Sequence, residues 1–470
     1  MKIVMFSINP LFPSYVMGGA PKHLQNIALY LGELGHEVTI LCTQVGGMQE
    51  SFQWHPQVTV LPMLRFKQPF PQPYATPAYN LAAALQDMGD YLQDADRFYM
   101  HDGEFLFPYA YRHVPTVISL RDNVYPETLL GGFLFQGDKL ILISEYSRLY
   151  YQHTVGRFFP DFAERVEVIR NGIDWDKFKP TEPGQILSVI PVNPELQPIV
   201  LHPHRPEESK GIRQTIAVVD LLVHQYGLNN LIALAPKWMD LQLTSELRDF
   251  YDDIQRQIII RGLQDNFVFH DWVPQELMPE YFSLGSVTLS LGNFVESFGN
   301  AVYESLGCGT PTIAARISTH RELLPDHLLD KVDYSDIETA AAIAASIIKE
   351  KRRTSPATLD YLYENYSTER QLAQYADVIL NAKKSGELVY QHPQINATSR
   401  YSLAPWCYVS RRGIYHDFRA DYFTNTEFNR LIQHYPQGFT LQQAEQGGIS
   451  AHDVLMYYQD GYLIPLSQEG

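Results

Sequence analysis

The sequence predicts an α/β protein with two open, mostly parallel sheets and a small third region. Along residues 1–182, short apolar runs that suit buried strands alternate with amphipathic helical runs. The alternation resumes at Ile199, after a stretch from Pro180 to Pro198 that contains five prolines and is typical of a linker. From residue 400 on, the chain is dense in Tyr, Phe and Arg. We therefore expect domains at residues 1–182, 195–385 and 400–470.

The first domain opens with a βαβ unit. Lys2–Ile8 and Val38–Cys42 are strand-like, and a helical pattern runs between them from Pro21 to Leu34. Gly18 and Gly19 precede this helix. Glycines in that position let the backbone approach a ligand closely, so both are candidate ligand contacts. The alternative is a plain turn between strand and helix.

Further strands are predicted at Arg97–His101 and Thr116–Leu120. Ligands of open α/β sheets gather at the carboxyl ends of the strands, where Arg121 follows the second of these. Arg121 is therefore a candidate ligand contact. His101 ends the neighbouring strand and could serve as a second contact, although a lone histidine in such a place is more often structural.

The second domain opens with the strand Ile199–His202 and a turn that leads into a helix from Ile212. Arg205 and Lys210 lie in this turn, five positions apart. Two fixed cations there can bind phosphates and can neutralise the charge that grows on a leaving phosphate. Surface basic residues without such a role are the alternative.

The stretch from Phe294 to Pro311 is the most informative part of the chain. It lies between the predicted strands Ser286–Leu291 and Thr312–Ala315 and contains a turn and a helix. The helix N-terminus, near Phe298, Gly299 and Asn300, offers backbone N–H groups and a positive dipole end to a phosphate.

Two carboxylates flank this helix N-terminus. Glu296 precedes the helix and Glu304 lies eight positions further on. Carboxylates accept paired hydrogen bonds from vicinal hydroxyls, so the combination suits a molecule with a central phosphate and polyols on both sides. A sugar nucleotide is such a molecule.

The pattern of two glutamates with seven residues between them, an aromatic residue and a glycine after the first, and Gly-Thr-Pro after the helix resembles the donor-site signature of retaining glycosyltransferases of family 4. Gly35–Ile40 and Arg170–Asp174 are similar to other signatures of that family, and the resemblance spans about residues 1–385. It implies the GT-B fold, in which two Rossmann-like domains face a cleft.

The resemblance also implies a function and a set of site residues. The reaction would move a sugar from a nucleotide diphosphate sugar, with a UDP-sugar favoured, and would need no metal. Arg205, Lys210 and Glu296 would be catalytic, with Glu296 holding sugar hydroxyls. The donor-binding residues would be Gly18, Gly19, Arg121, Phe298, Gly299, Asn300 and Glu304, with Glu304 at the ribose.

Three departures from the family pattern are visible. Arg121 stands where many members have a histidine, His204 replaces a glycine, and the loop after Ala315 lacks the usual glycines, although its Glu322 still matches. The first and third departures support an alternative, a catalytically inactive scaffold or regulator that binds a sugar nucleotide. A GT-B epimerase is a smaller alternative.

The net charge and the amino-acid composition limit the classes of partner that the protein can bind. A net charge of −17 argues against binding to nucleic acid and anionic lipid, and the predicted helix Tyr79–Asp94 has no basic residue, so a membrane acceptor is disfavoured. We expect a soluble carbohydrate, small-molecule or protein acceptor. Three widely spaced cysteines indicate a reducing cytoplasm, and the sixteen histidines show no metal-ligand spacing.

The region 400–470 lies outside the resemblance. We interpret it as a small appended domain that recognises an acceptor or a partner, which leaves open an oligomer formed through it. The alternative is that it packs against the catalytic halves as padding.

Overall fold

A computed structural model of the chain describes residues 1–15, 18–46, 50–67, 75–103, 108–205, 207–237, 245–396 and 398–466. The chain divides into two compact units. The first comprises residues 1–170, 369–416 and the chain from Tyr422 on, and the second comprises residues 171–368 and 417–421.

The first unit is built on an eight-stranded sheet in the order β3-β4-β2-β1-β5-β6-β7-β8, in which all neighbouring strands run parallel except β3 and β4. The strands are nearly continuous apolar runs because both faces of the sheet are covered. Their bounds are Lys2–Ser7 (β1), Glu37–Thr43 (β2), Phe52–His55 (β3), Val58–Leu64 (β4), Arg97–His101 (β5), Thr116–Leu120 (β6), Lys139–Leu142 (β7) and Val166–Val168 (β8).

Helices cover both faces of this sheet. On α1, the residues Leu24, Ile27, Ala28 and Leu31 recur at helical spacing and are buried against the strands. A helix late in the chain, Thr368–Asn381 (α13), adds Tyr375 and Ile379 to the same core. The helices before the linker are Gly19–Glu33 (α1), Ala78–Leu92 (α2), Pro126–Phe133 (α3), Glu145–His153 (α4) and Phe162–Arg165 (α5).

The second unit has a six-stranded parallel sheet in the order β11-β10-β9-β12-β13-β14. Its strands are Ile199–Leu201 (β9), Ile232–Pro236 (β10), Phe267–His270 (β11), Val287–Ser290 (β12), Thr312–Ala315 (β13) and Asp330–Val332 (β14). The helices from the linker onward are Ile186–Val189 (α6), Ile212–His224 (α7), Ser245–Ile260 (α8), Met278–Leu284 (α9), Asn300–Gly307 (α10), Ile337–Glu350 (α11), Pro356–Asn365 (α12) and Thr368–Asn381 (α13).

The last part of the chain forms two three-stranded sheets and three short helices. The sheets have the orders β19-β15-β20 and β16-β17-β18. Their strands are Arg400–Leu403 (β15), Cys407–Ser410 (β16), Gly413–His416 (β17), Asp421–Phe423 (β18), Phe439–Thr440 (β19) and Leu463–Leu466 (β20), and the helices are Thr426–His434 (α14), Leu441–Gln446 (α15) and Ala451–Gln459 (α16).

The α/β class and the two parallel sheets confirm the predicted fold class. The sequence from Ala357 to Ala382 predicts one continuous helix. This prediction is wrong, because α12 ends at Asn365 and α13 begins at Thr368. Between them the backbone pairs with Ile173, whose N–H donates to the Tyr366 carbonyl at 2.9 Å. The sequence also does not predict the edge strand β3. A short aromatic helix that the sequence predicts after Glu104 falls partly outside the described residues.

Candidate functional site

The core of the site is the place where two loops of the second unit lie against each other. Strands β9 and β12 are parallel neighbours, so their carboxyl ends lie at the same edge of the sheet. The loop after β9 and the loop after β12 meet there: the backbone N–H groups of Asn293 and Phe294 both donate to the Ser209 carbonyl, at 2.9 and 3.0 Å. A Cβ atom at Gly292 would lie 2.2 Å from that carbonyl oxygen, so only glycine permits this contact.

This contact brings Lys210 and Glu296 together. Lys210 Nζ lies 2.6 Å from Glu296 Oε1, and the two side chains are 14% and 24% exposed. The ammonium also lies 3.6 Å from the centroid of the Phe294 ring, where the electron-rich ring face attracts a cation. The ion pair is therefore shielded from water on several sides, which strengthens its attraction.

The small cavity around this pair has a volume of about 10 Å³, room for roughly one water molecule. It is lined by His204, Ser209, Lys210, Ser290, Gly292, Phe294, Glu296, Ile317 and His320. A ligand larger than a water molecule that enters this space therefore has to displace side-chain atoms of the lining.

Neutral histidines surround the ammonium. Burial lowers the pKa of His202 to about 3 and that of His320 to about 4, and it lowers the pKa of His204 as well; the nearby Lys210 charge acts in the same direction on all three. His320 Nδ1 is 3.1 Å from the Tyr303 hydroxyl. His204 Nε2 is buried and has no hydrogen-bond partner among the described residues. Sequence reasoning did not assign a role to His204 or His320.

Helix α10 begins beside this cavity. Its N-cap, Gly299, has φ +81°, and a Cβ atom there would lie 2.5 Å from Cε1 of His320. Phe298 is buried against Tyr303 and Tyr366, so only its backbone is available to a ligand. Asn300 Oδ1 accepts a hydrogen bond from Asn171 Nδ2 at 3.2 Å.

The loop after β13 holds Glu296 from the other side. Ser318 has φ +44°, in the left-handed region, and its hydroxyl donates to the Glu296 carbonyl at 2.7 Å. The loop that replaces the family's glycines thus fixes the backbone of Glu296.

Arg205 and Glu304 lie outside this cavity. Arg205 is 47% exposed, and its Nε is 3.2 Å from the Glu207 carboxylate. Glu304 lies on α10, where burial raises the pKa of its carboxyl to about 7, partly opposed by the positive charge of Lys177. The structure therefore brings together Lys210 and Glu296, but it does not place Arg205 or Glu304 on the lining of this cavity.

Gly18, Gly19 and Arg121 belong to the first unit. Arg121 Nη1 donates to the Tyr375 hydroxyl at 3.2 Å. His101 Nε2 is 2.9 Å from the Ala20 carbonyl, next to Gly19, and its Nδ1 is 2.7 Å from the Tyr99 hydroxyl. Since a carbonyl can only accept, Nε2 carries the proton and Nδ1 accepts. The two ring bonds give His101 a structural role at the start of α1.

Comparison with known proteins now identifies the family. The profile Glycosyltransferase Family 4 matches residues 17–177, and the profile Glycosyl transferases group 1 matches residues 187–358. Together they cover more than two thirds of the chain. The chain belongs to these glycosyltransferases. The predicted family resemblance is confirmed.

Relatives of this glycosyltransferase agree with that assignment. It is 25% identical over 323 residues to O-antigen chain mannosyltransferase B of Escherichia coli, which covers 64% of this chain and 76% of the relative.

Among the described residues, we find no helix with the length and apolar character needed to cross a membrane.

Two solved structures show the GT-B fold. Sucrose-phosphate synthase from Thermosynechococcus elongatus has a TM-score of 0.63 at 16% identity, over 80% of this chain and 98% of that one. Anabaena Alr3699/HepE in complex with UDP and glucose has a TM-score of 0.62 at 20% identity, over 81% and 99%. The predicted GT-B fold is confirmed.

A residue of the C-terminal region also supports the site of this glycosyltransferase. Asp417 is fully buried in the second unit and accepts two hydrogen bonds from Arg321, Nη1 to Oδ1 and Nη2 to Oδ2, both at 2.8 Å. Arg321 directly follows His320, which lines the cavity. Asp417 thereby fixes the loop after β13. No sequence signal linked two residues 96 positions apart.

We predict that Gly292→Ala lowers both stability and activity. The added methyl group would overlap the Ser209 carbonyl, so the free energy of unfolding should fall by about 1–3 kcal/mol in urea denaturation. Gly89→Ala, inside α2 where an added Cβ meets nothing within 4 Å, is the control and should raise stability by about 0.5–1 kcal/mol. Equal behaviour of the two variants would contradict a requirement for close backbone contact.

Asp417→Asn should loosen the loop after β13. Removing the buried carboxylate leaves Arg321 without its charge partner, so we expect a loss of roughly 2–3 kcal/mol in unfolding free energy. The donor KM should rise more than kcat changes, because His320 and the Glu296 backbone lose their support. The control is Asp265→Asn, an exposed aspartate of the same unit. An unchanged donor KM in Asp417→Asn would refute the positioning role.

The raised pKa of Glu304 predicts that the stability of the protein depends on pH. Its folded pKa of about 7 is higher than the ordinary value of 4.5, so the folded protein holds the proton more tightly than the unfolded chain. The stabilisation that the protonated Glu304 carboxyl contributes is fully present below pH 4.5 and is lost as the pH rises through 7. The melting temperature of the wild type should therefore fall relative to that of Glu304→Gln between pH 5 and pH 8. A constant difference across this range would show that the carboxyl titrates normally.

Proposed function

We propose that this glycosyltransferase is a retaining, metal-independent hexosyltransferase that moves a sugar from a UDP-sugar to a soluble carbohydrate, small-molecule or protein acceptor. The observation that carries the proposal is the Lys210–Glu296 pair, held at 2.6 Å beside the N-terminus of α10. A cation, a carboxylate and free backbone N–H groups at one sheet edge match the needs of a sugar diphosphate.

In the proposed reaction, the donor separates the ion pair. Lys210 turns to the diphosphate, and Glu296 accepts hydrogen bonds from sugar hydroxyls. Each partner exchanges one charged or polar contact for another, so neither charge is left uncompensated. The neutral His204 and His320 add no repulsion for Lys210, and they offer ring nitrogens to hydroxyl or phosphate groups.

The bond between the anomeric carbon and the departing phosphate oxygen breaks first. Negative charge grows on the phosphate, and Lys210 with the N–H groups near Phe298 to Asn300 stabilises it. The acceptor hydroxyl then bonds to the anomeric carbon from the same face, and its proton passes to the phosphate oxygen. The products are a nucleoside diphosphate and a glycoside with retained configuration, and no protein nucleophile is needed.

Other predicted contacts complete the proposal. Arg205, which is exposed beside Glu207, would turn toward the phosphates when the donor binds. Glu304 would bind the ribose in its ionised form. Gly18, Gly19 and Arg121 would contact the donor from the first unit. Fixed cations and the helix dipole would supply the electrostatic role that a metal has in other transferases.

The donor base and sugar are part of the proposal. Support for UDP comes from Anabaena Alr3699/HepE, which was solved with UDP, with UDP-glucose and with UDP and glucose. The Escherichia coli relative, a mannosyltransferase, favours mannose as the transferred sugar. A panel of UDP- and GDP-linked hexoses, scored by the rise in melting temperature, separates these donors because a ligand that binds only the folded state stabilises it.

The proposed acceptor follows from the net charge, and the proposed location follows from the cysteines. A protein with a net charge of −17 is repelled by anionic membrane surfaces, so we propose a soluble acceptor. The three cysteines are free and buried, which suits a reducing cytoplasm. Salt-sensitive binding to vesicles that contain anionic lipid would contradict this part of the proposal.

Lys210→Ala is the decisive variant. Without the ammonium, the departing phosphate loses its main cation, so we expect kcat for nucleotide release to fall about 100-fold or more. Lys349→Ala, an exposed lysine on α11, is the matched control and should keep wild-type rates. A chromatographic assay of nucleoside diphosphate released in the presence of cell extract measures both.

The outcomes also separate the alternatives. Near-normal turnover in a folded Lys210→Ala protein would refute the role of this residue. Donor binding by wild type without nucleotide release in any extract would favour the inactive scaffold. A modified sugar that stays linked to its nucleotide would indicate an epimerase.

A further inference from the structure

A groove in the first unit lies outside the site described above. Its volume is about 600 Å³, within the range of pockets that bind organic ligands. One wall comes from the end of α4 and the following turns, residues 152–163, and the other from residues 391–399 with Pro465 and Leu466. A second cavity of about 260 Å³ shares His153 and Arg157 with it. We treat the two as one groove.

This groove is a feature of this chain more than of its family. The two family profiles end at residues 177 and 358, and one wall is formed by residues beyond both. The C-terminal region therefore adds a surface to the family scaffold.

Neutral hydrogen-bonding groups dominate the lining. Side-chain amides come from Gln152, Gln391, Gln394 and Asn396, and a hydroxyl comes from Ser399. Among the described residues, the lining of the two cavities includes no carboxylate, although the chain has 53 acidic residues. The side chains of Gln391 and Gln394 are exposed and have no hydrogen-bond partner among the described residues. Each can donate and accept at once, as vicinal hydroxyls require.

Aromatic rings line the other end of the groove. Phe133 is 51% exposed there. Trp406 is fixed by a hydrogen bond from Nε1 to the Gly461 carbonyl at 2.7 Å. Arg157 Nη1 donates to the Tyr458 hydroxyl at 2.9 Å, and its guanidinium lies 5.4 Å from the Tyr458 ring and 5.5 Å from the Phe158 ring. These rings offer apolar faces, and Arg157 forms no ion pair with a carboxylate of the part of the chain that the structure describes.

His153, like the glutamines, can both donate and accept a hydrogen bond. Burial, followed by the charges of Arg148 and Arg157, lowers the pKa of its imidazole, so the ring is neutral at physiological pH. A neutral imidazole has one donor and one acceptor nitrogen. It therefore matches the amides on the opposite wall.

We propose that this groove binds a saccharide chain of several residues. Its ring hydroxyls would meet the amides of Gln391, Gln394 and Asn396, and the C–H faces of its rings would lie on Phe133 and Tyr458. A saccharide alternates hydroxyl rims with apolar faces, as the groove alternates amides with rings. The identification of this saccharide with the far part of the acceptor rests on the proposed function, whereas the binding itself does not.

The test is isothermal titration of the full chain, without donor, with three pentasaccharides: mannopentaose, maltopentaose and the pentamer of galacturonic acid. The proposal predicts measurable binding of at least one. Gln391→Ala/Gln394→Ala should weaken it about tenfold, since two hydrogen bonds are lost. Phe133→Ala is a second variant that removes an apolar face and should also weaken binding. The control is Gln442→Ala/Gln446→Ala, two exposed glutamines on α15 of the same unit.

Each outcome decides the proposal. Binding that is weakened by the groove variants and kept by the control supports it, whether the sugar is neutral or acidic. Absence of binding by all three probes, or binding that is equal in all variants, overturns it. Saccharide binding by a chain that never releases nucleotide would count against the proposed function alone.

Discussion

The proposed donor site depends on one backbone contact. Two neighbouring parallel strands end at the same edge, and Gly292 lets their loops touch through the Ser209 carbonyl. A side chain of any size at this position would push the loops apart. The contact thereby fixes the backbone positions of Lys210 and Glu296, so that pairing costs only the rotamer freedom of the two side chains.

In the proposed function, the Lys210–Glu296 ion pair takes the place of the ligand while the site is free of donor. In the free protein, Glu296 compensates the Lys210 charge in a place that is largely closed to water, and the cavity has room for roughly one water molecule. Neutral histidines around the ammonium keep further positive charge away from it. A donor has to offer a phosphate to the cation and hydroxyls to the carboxylate, which makes the pair a filter for molecules that carry both groups.

Much of this could be predicted from the sequence. Strand and helix periodicity gave the α/β class, and the two glutamates with Gly-Thr-Pro indicated the family. Both signals are local, because they depend on neighbours in the chain. The buried ion pair between Arg321 and Asp417 could not be predicted, since it joins residues far apart in sequence. The neutral state of His204 also depends on tertiary packing. The break between α12 and α13 was missed for the same reason.

The most direct test is a crystal structure of the full chain with UDP bound. The account predicts that Lys210 Nζ lies about 2.7–3.2 Å from a phosphate oxygen, with the phosphates at the N-terminus of α10. UDP bound elsewhere, with the Lys210–Glu296 contact unchanged at 2.6 Å, would contradict it.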